Sequence, residues 1–174
     1  MLVVAALMMA VIASGAVAAP GSQQHELAAM DDAHFAGMMA KHHQGGIEMA
    51  RLEERAGSSK AVKALAAKIR AGQQSELPKL QAHAKGHKPD AKFAEHEKQM
   101  LKEHAAAMSR LKAAKGPVLD KLFADQMIAH HEQGLKAIEA TTFQDPELKA
   151  LADKMAANHK QEIEELRKTL RLGS

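Results

Sequence analysis

Met30, His34, Met38 and His42 follow one another at four-residue intervals, and His96, Met100, His104 and Met108 repeat the pattern further along the chain. On an α-helix, residues four apart share a face. Each segment, read as helix, therefore presents alternating thioether and imidazole groups along one stripe. Imidazole nitrogen binds copper, zinc, nickel and iron, while thioether sulfur favours soft ions such as Cu(I). This chemistry needs no cysteine, and the 174-residue chain has none.

Two histidine pairs, His42-His43 and His130-His131, form a second signal. Neighbouring helical residues point about 100° apart, so one pair cannot close on a single ion from one side. The first His of each pair continues the core stripe. The second lies at its edge, facing a neighbouring helix or the surface. Met39 and Met127 stand four residues before His43 and His131, and Met49 stands seven after His42. The candidate metal ligands are therefore His34, Met38, Met39, His42, His43, Met49, Met100, His104, Met108, Met127, His130 and His131.

Packing is the competing explanation. A Met stripe at helical spacing usually fills a core, and Met49, Met127 and Met155 taken singly fit that role as well as a ligand role. A single core-facing His usually hydrogen-bonds a carboxylate or a backbone carbonyl. His25, His83 and His87 fall in loops or tails and read as solvated, and His159 reads as filling a polar slot. Co-occurrence favours metal: His and Met alternate on two separate helices, and the His pair recurs.

Ligand type selects the metal. Mixed Met and His without Cys or acidic clusters favours copper, chiefly Cu(I), and its soft analogue Ag(I). Zinc more often uses Cys, or three His with an acidic outer shell. A di-iron bundle needs two Glu-x-x-His motifs and two further inward Glu, whereas this chain offers only Asp31-x-x-His34 at that spacing. There is no Gly-rich phosphate loop, Ser-His-Asp arrangement or haem attachment motif. Neither catalytic turnover nor an organic cofactor is expected.

The elements that must position these residues are helical. The chain lacks Trp and Tyr, holds four Phe and five Pro, and is rich in Ala, Leu, Lys and Glu, a composition suited to helices with a core of modest side chains. Its formal charge is +3 with His neutral, but Lys and Arg alternate with Glu, which describes a solvated surface and argues against nucleic-acid binding. The patterning predicts a first helix from Asp31 or Asp32 to about Gly57, with Phe35, Met38, Met39, His42, Gly46 and Met49 inward. A second starts after Ser58 and Ser59 and is kinked or ended by Pro78. After a loop over residues 84–90, a third runs over about 91–114, with Phe93, Met100, Leu101, His104, Met108 and Leu111 inward. Gly116-Pro117 breaks it. A fourth spans about 118–140, and Asp145-Pro146 starts a fifth that reaches about Leu170.

The window FAGMMAKHHQGGI (35–47) aligns with FADQMIAHHEQGL (123–135) at six of thirteen positions, and VKALAAKIRAGQQSEL (62–77) aligns with LKALADKMAANHKQEI (148–163) at seven of sixteen. The offsets are 88 and 86. Two helical hairpins, about 31–84 and 118–171, thus read as a duplication around an unduplicated helix. The expected domain, 31–172, is an all-α four-helix core with the central helix as an added element or long crossover.

Residues 1–19 carry no charged side chain. Leu2 to Ile12 forms an apolar run, and Ala16-Val17-Ala18 supplies the small residues of an A-x-A cleavage site. The expectation is a signal peptide over 1–18, cleaved after Ala18, followed by a flexible segment over 19–30 and a periplasmic or secreted protein that is not embedded in a membrane. The alternative is an uncleaved anchor, since the run is just long enough to span a bilayer. No Cys follows it, so lipid modification there is excluded.

Phe35-x-x-x-Met39-x-x-His42-His43 with Ile47-x-Met49-Ala50, Gln73-Gln74-x-Glu76-Leu77, His104-x-x-x-Met108, and Phe123-x-x-x-Met127-Ile128-x-His130-His131 resemble the "domain of unknown function 305" family over about 31–170. The resemblance implies a ferritin-like helical bundle, secreted or periplasmic. Some members bind Cu(I), Cu(II) and Ag(I) through Met and His. By motif it points to Met39, His42, His43, His104, Met108, Met127, His130 and His131. Ala137 stands where the first repeat has Met49, and Gln126 replaces Met38, leaving the second repeat poorer in thioethers. The function implied is metal sequestration or chaperoning, with metal ions and another periplasmic copper-handling protein as partners. A ferritin-like metal oxidase and a metal-free helical interaction or stress protein are the alternatives.

Overall fold

A computed structural model describes residues 30–86, 88 and 91–172. The expected signal peptide, most of the segment after it, His25 and His87 lie outside the described residues. Five helices follow in order: α1 (Asp32–Ala56), α2 (Lys60–His83), α3 (Ala91–Ala113), α4 (Gly116–Glu139) and α5 (Pro146–Leu172). Among the described residues there is one isolated bridge, Met30 to Thr141, and no named strand. Met30, the first described residue, is buried. Among the described residues no helix is long and apolar enough to cross a membrane.

The helix boundaries follow from their caps. The Asp31 carboxylate accepts the His34 N–H at 2.8 Å, and the Ser59 hydroxyl accepts the Val62 N–H at 3.4 Å; both are N-caps that satisfy a free helical donor. Asp145 accepts the N–H groups of Glu147 and Leu148 to start α5. Gly116, at φ 58°, makes the left-handed turn between α3 and α4, a conformation that favours glycine. Pro78 does not end α2, which runs on to His83. The proline is exposed, so the carbonyl it leaves unbonded one turn earlier sits on the wet side of the helix.

α1 packs along α2 and α4 along α5; the two hairpins meet through α1 against α4 and α2 against α5. α3 packs mainly on α1 and α4, lying across their groove. The duplication is visible as reciprocal contacts. Asp120 of α4 accepts the N–H groups of Ser58 (2.7 Å) and Ser59 (2.9 Å) in the α1–α2 turn, and the Ser58 hydroxyl at 2.5 Å. Its counterpart Asp32 of α1 accepts the N–H groups of Gln144 (3.1 Å) and Asp145 (2.6 Å) in the α4–α5 turn. Each repeat thus holds the other's turn, as an approximate twofold axis requires.

The core is two apolar clusters. One joins Met49, Ile69, Leu119, Phe123, Met127 and Leu166; the other joins Met30, Phe35, Met39, Leu80, Leu148 and Met155. Along each helix of the four-helix core, a polar layer stands between them: His42 and His43 on α1, Gln73 and Glu76 on α2, His130 and His131 on α4, His159 and Glu162 on α5, all buried except the half-buried His130. α3 seats Leu111 in the first cluster and leaves Leu101 48 % exposed. Leu101 was expected to face inward. A helix docked on one side buries a narrow stripe, and Met100, His104, Ala107 and Leu111 occupy it.

Candidate metal centre

The polar layer is built about the twofold axis. His42 and His130, the first members of the two pairs, stack face to face across it, with ring centroids 3.6 Å apart and planes 2° from parallel. The second members point into their own hairpins. His43 Nε2 lies 3.0 Å from Glu76 Oε2, and His131 Nε2 lies 2.7 Å from Glu162 Oε2. Both second members are fully buried, so of the two directions open to the edge of the stripe they take the neighbouring helix and not the surface. The apolar stripe of α1 faces α4, but α1 also packs along α2, so the flank that holds His43 is interior too.

His159 completes the layer. It is 1 % exposed and stacks on His131 at 4.4 Å, with its ring 6.1 Å from that of His43. Its repeat counterpart, Gln73, is 2 % exposed. Two glycines make room for these side chains. A Cβ on Gly46 would run into the Gln73 carboxamide and His130 Nε2, and a Cβ on Gly134 would meet His159 and His42 Nε2.

Burial disfavours the charged form of four of these imidazoles and of one carboxyl. His42 and His130 are held well below the ordinary imidazole value, first by burial and then by the neighbouring histidines. His131 is brought down to about 3 by burial and by His43, with Glu76 opposing. His159 falls to about 2 through burial, His131 and His43. Burial raises Glu162 to about 7, against the pull of Lys68 and with help from Glu76 and Glu165. An ion pair would move His131 up and Glu162 down. Both move the other way, so the contact is a hydrogen bond dominated by desolvation.

A ring nitrogen without a proton carries a lone pair, and several ring nitrogens of the layer have no partner. His42 Nε2, His43 Nδ1, His130 Nε2, His131 Nδ1, both His159 nitrogens and both Gln73 amide atoms are buried without a hydrogen-bond partner in the protein. Each such atom costs roughly 1–3 kcal/mol. A carboxylate on one ring nitrogen and a bare second nitrogen is the arrangement that orients a metal-binding histidine. Among the described residues no three His, Cys, Asp or Glu side chains converge in a ready-made cage. Sites of lower coordination number, or sites completed by thioethers, are what the layer can form.

The thioethers lie to one side. A cavity of about 400 Å³ beneath α3 is lined by His42, Met49, Met100, His104 and His130. A second, of about 210 Å³, is lined by Met38, Met39, His42, His96 and Met100. The α1 and α3 ladders therefore face each other across the groove, and His42 and Met100 border both cavities. His104 Nε2 bonds Glu48 at 3.0 Å while its Nδ1 lies buried without a partner. The remaining predicted ligands are elsewhere. His34 stacks on Phe93 at 3.9 Å and bonds Asp31. Met108 and Met127 pack in the first apolar cluster.

Sequence reasoning missed His159, and it gave Glu76 and Glu162 no role at the site. The carboxylates, expected to be missing, reach their histidines from 33 and 31 residues away. The signal was present in the repeat itself, where Gln73 and Glu76 align with His159 and Glu162 and share a helix face with their partners three residues on.

Solved structures of three proteins share this architecture. A family protein from Streptomyces coelicolor is 20 % identical, with a TM-score of 0.70, over 82 % of this chain and 93 % of that one. A fragment from Deinococcus radiodurans is 20 % identical, with a TM-score of 0.67, over 80 % and 94 %. CopM in its Cu(II)-bound form is 21 % identical, with a TM-score of 0.65, over 84 % and 99 %, and CopM is similar also in its Ag-bound form. At these identities the likeness establishes the fold. No curated protein matches the chain in sequence. The family model for the domain of unknown function DUF305 matches residues 32–170, spanning all five helices and the whole histidine layer, and the chain belongs to that family.

Proposed function

We propose that this protein is an exported carrier of soft metal ions, binding Cu(I), Cu(II) or Ag(I) through the histidine layer and the adjoining thioethers. It sequesters the ion or hands it to another periplasmic copper-handling protein, without catalytic turnover. The observation that carries this reading is the set of imidazoles with buried, unpartnered nitrogens, two of them oriented by a carboxylate on the opposite nitrogen. The Cu(II)-bound and Ag-bound forms of CopM support it, as do the apolar run and A-x-A element of residues 1–18.

The carboxylate partners also favour a second reading, a borderline ion such as Zn(II) on imidazole. Competitive titration of the purified chain from residue 19 onward, against a chromophoric Cu(I) chelator and with Zn(II) in parallel, separates the two. Stoichiometric Cu(I) binding that outcompetes the chelator, with weak Zn(II), is expected. The variant with His42, His43, His130 and His131 all changed to Gln should lose it while keeping its helical circular dichroism. Retention of Cu(I) by that variant would exclude the layer as the site. Metal-dependent oxygen consumption would instead establish an oxidase.

A further inference from the structure

We infer that the two halves of the histidine layer are unequal as ion sites: His159 and His42 form a two-imidazole site in the space left by Gly134, whereas Gln73 denies the half beside Gly46 an equivalent. The inference rests on the metal-binding reading above and assigns the ion within it.

The geometry is specific. Where Gly134 would carry a Cβ, His159 Nδ1 lies 3.1 Å away and His42 Nε2 also 3.1 Å away. The two nitrogens come from different repeats and approach one small space, and neither has a hydrogen-bond partner. Monovalent copper and silver, with filled d shells, accept two nitrogen donors placed on either side of the ion. A buried pair of neutral imidazoles suits them, and no third side chain is required. Glycine at this position is what keeps the space open.

The twofold axis supplies the control. At Gly46 the same construction brings His130 Nε2 to 2.9 Å from the Cβ position, but the side chain opposite is the Gln73 carboxamide. Amide oxygen is a hard donor and suits ions of another class. The two halves share the helix pairing, the carboxylate and the glycine, and differ in the ligand opposite the first histidine. The stack of His131 on His159, at 4.4 Å, has no counterpart at Gln73 and fixes the His159 ring in place.

The test exchanges the two residues. His159→Gln places in the α5 half the residue that the α2 half already accommodates, and Gln73→His does the reverse, so both variants should fold. Cu(I) stoichiometry by competitive titration and Ag(I) stoichiometry by native mass spectrometry are the readouts, with imidazole nitrogen NMR shifts of His42 to locate the ion. One tightly held monovalent ion is expected for the wild type. Affinity in His159→Gln should fall by roughly 100-fold, the upper end of the cost of losing even a supporting contact at a metal site. Gln73→His should hold two ions. Wild-type affinity in His159→Gln, or a second tight ion in the unaltered chain, would overturn the inference while leaving the metal-binding reading intact. Failure of the wild type to bind either ion would overturn the metal-binding reading itself.

Discussion

Around the twofold axis the α2 half sets Gln73 beside His130, and the α5 half sets His159 beside His42. Both halves keep the carboxylate, the glycine and the histidine pair. Duplication therefore preserved the frame and let one donor diverge. A carboxamide brings a donor and an acceptor to its pocket, while an imidazole brings a lone pair that a soft ion can use. The thioethers diverge in the same uneven way. Met38 and Met49 of α1 border the cavities beneath α3, where α4 has Gln126 and Ala137 at the matching positions.

Acid should break the contrast most strongly. A free imidazole titrates near 6.5, while His131 sits at about 3 and His159 at about 2 in the fold. Below about pH 6.5 the unfolded chain takes protons that the folded chain refuses. The stability contributed by these groups is complete above that pH and is lost as pH falls, at about 1.4 kcal/mol per unit for each group. Urea denaturation of the metal-free protein between pH 7 and 4 should show the decline, and His159→Gln should make it shallower; an unchanged slope would remove His159 from the account. Glu53, fully buried beside Asp120, has the opposite sign. Burial, and then its contact with Asp120, raises it to about 8, so it weakens the fold as pH rises from about 4.5 to 8.

The carboxylates sharpen the comparison next. Glu162→Gln removes the partner of the histidine that stacks on His159 and should lower Cu(I) affinity by less than the loss of His159 itself, about 10-fold. Glu76→Gln, which acts through His43 at a ring distance of 6.1 Å from His159, should cost less. Equal losses in competitive titration would mean that the ion sits on the axis rather than in one half.

The glycines give the smallest effect. Gly46→Ala and Gly134→Ala each crowd the layer and should cost about 1–3 kcal/mol in thermal or urea unfolding. Only Gly134→Ala should also impair ion binding, because its methyl group would occupy the space between His42 and His159. Impaired binding in both variants would make the halves equivalent.

Much of this was legible in the chain. The His pairs, the second glycine of Gly45-Gly46, Gly134 and the separate ladders of α1 and α3 follow from helical spacing and self-alignment, but not that the ladders face each other. The five helices follow from Asp31, Ser59, Gly116-Pro117 and Asp145-Pro146. What stayed hidden depends on which helices become neighbours. His43 looks peripheral until α2 covers it, and Glu76 looks like a surface residue until His43 turns toward it. Leu101 looks like core until α3 is seen to dock by a single stripe. His159 reads as a polar slot because a lone histidine opposite a glutamine has no periodicity to mark it; its meaning comes from Gly134 and from His42 of the other repeat.

The exchanged aspartates bear on how the chain reaches this state. The turn after α1 is tied to Asp120, and the turn after α4 is tied to Asp32, across sequence separations of 61–62 and 112–113 residues. Neither hairpin finishes its own corner, so the first half synthesised waits for the second before it can close. Contacts of such separation slow the search for the native state and bind its parts into one cooperative transition. A chain built this way remains open longer than two independent hairpins would, and its histidines stay accessible to water until both halves have met.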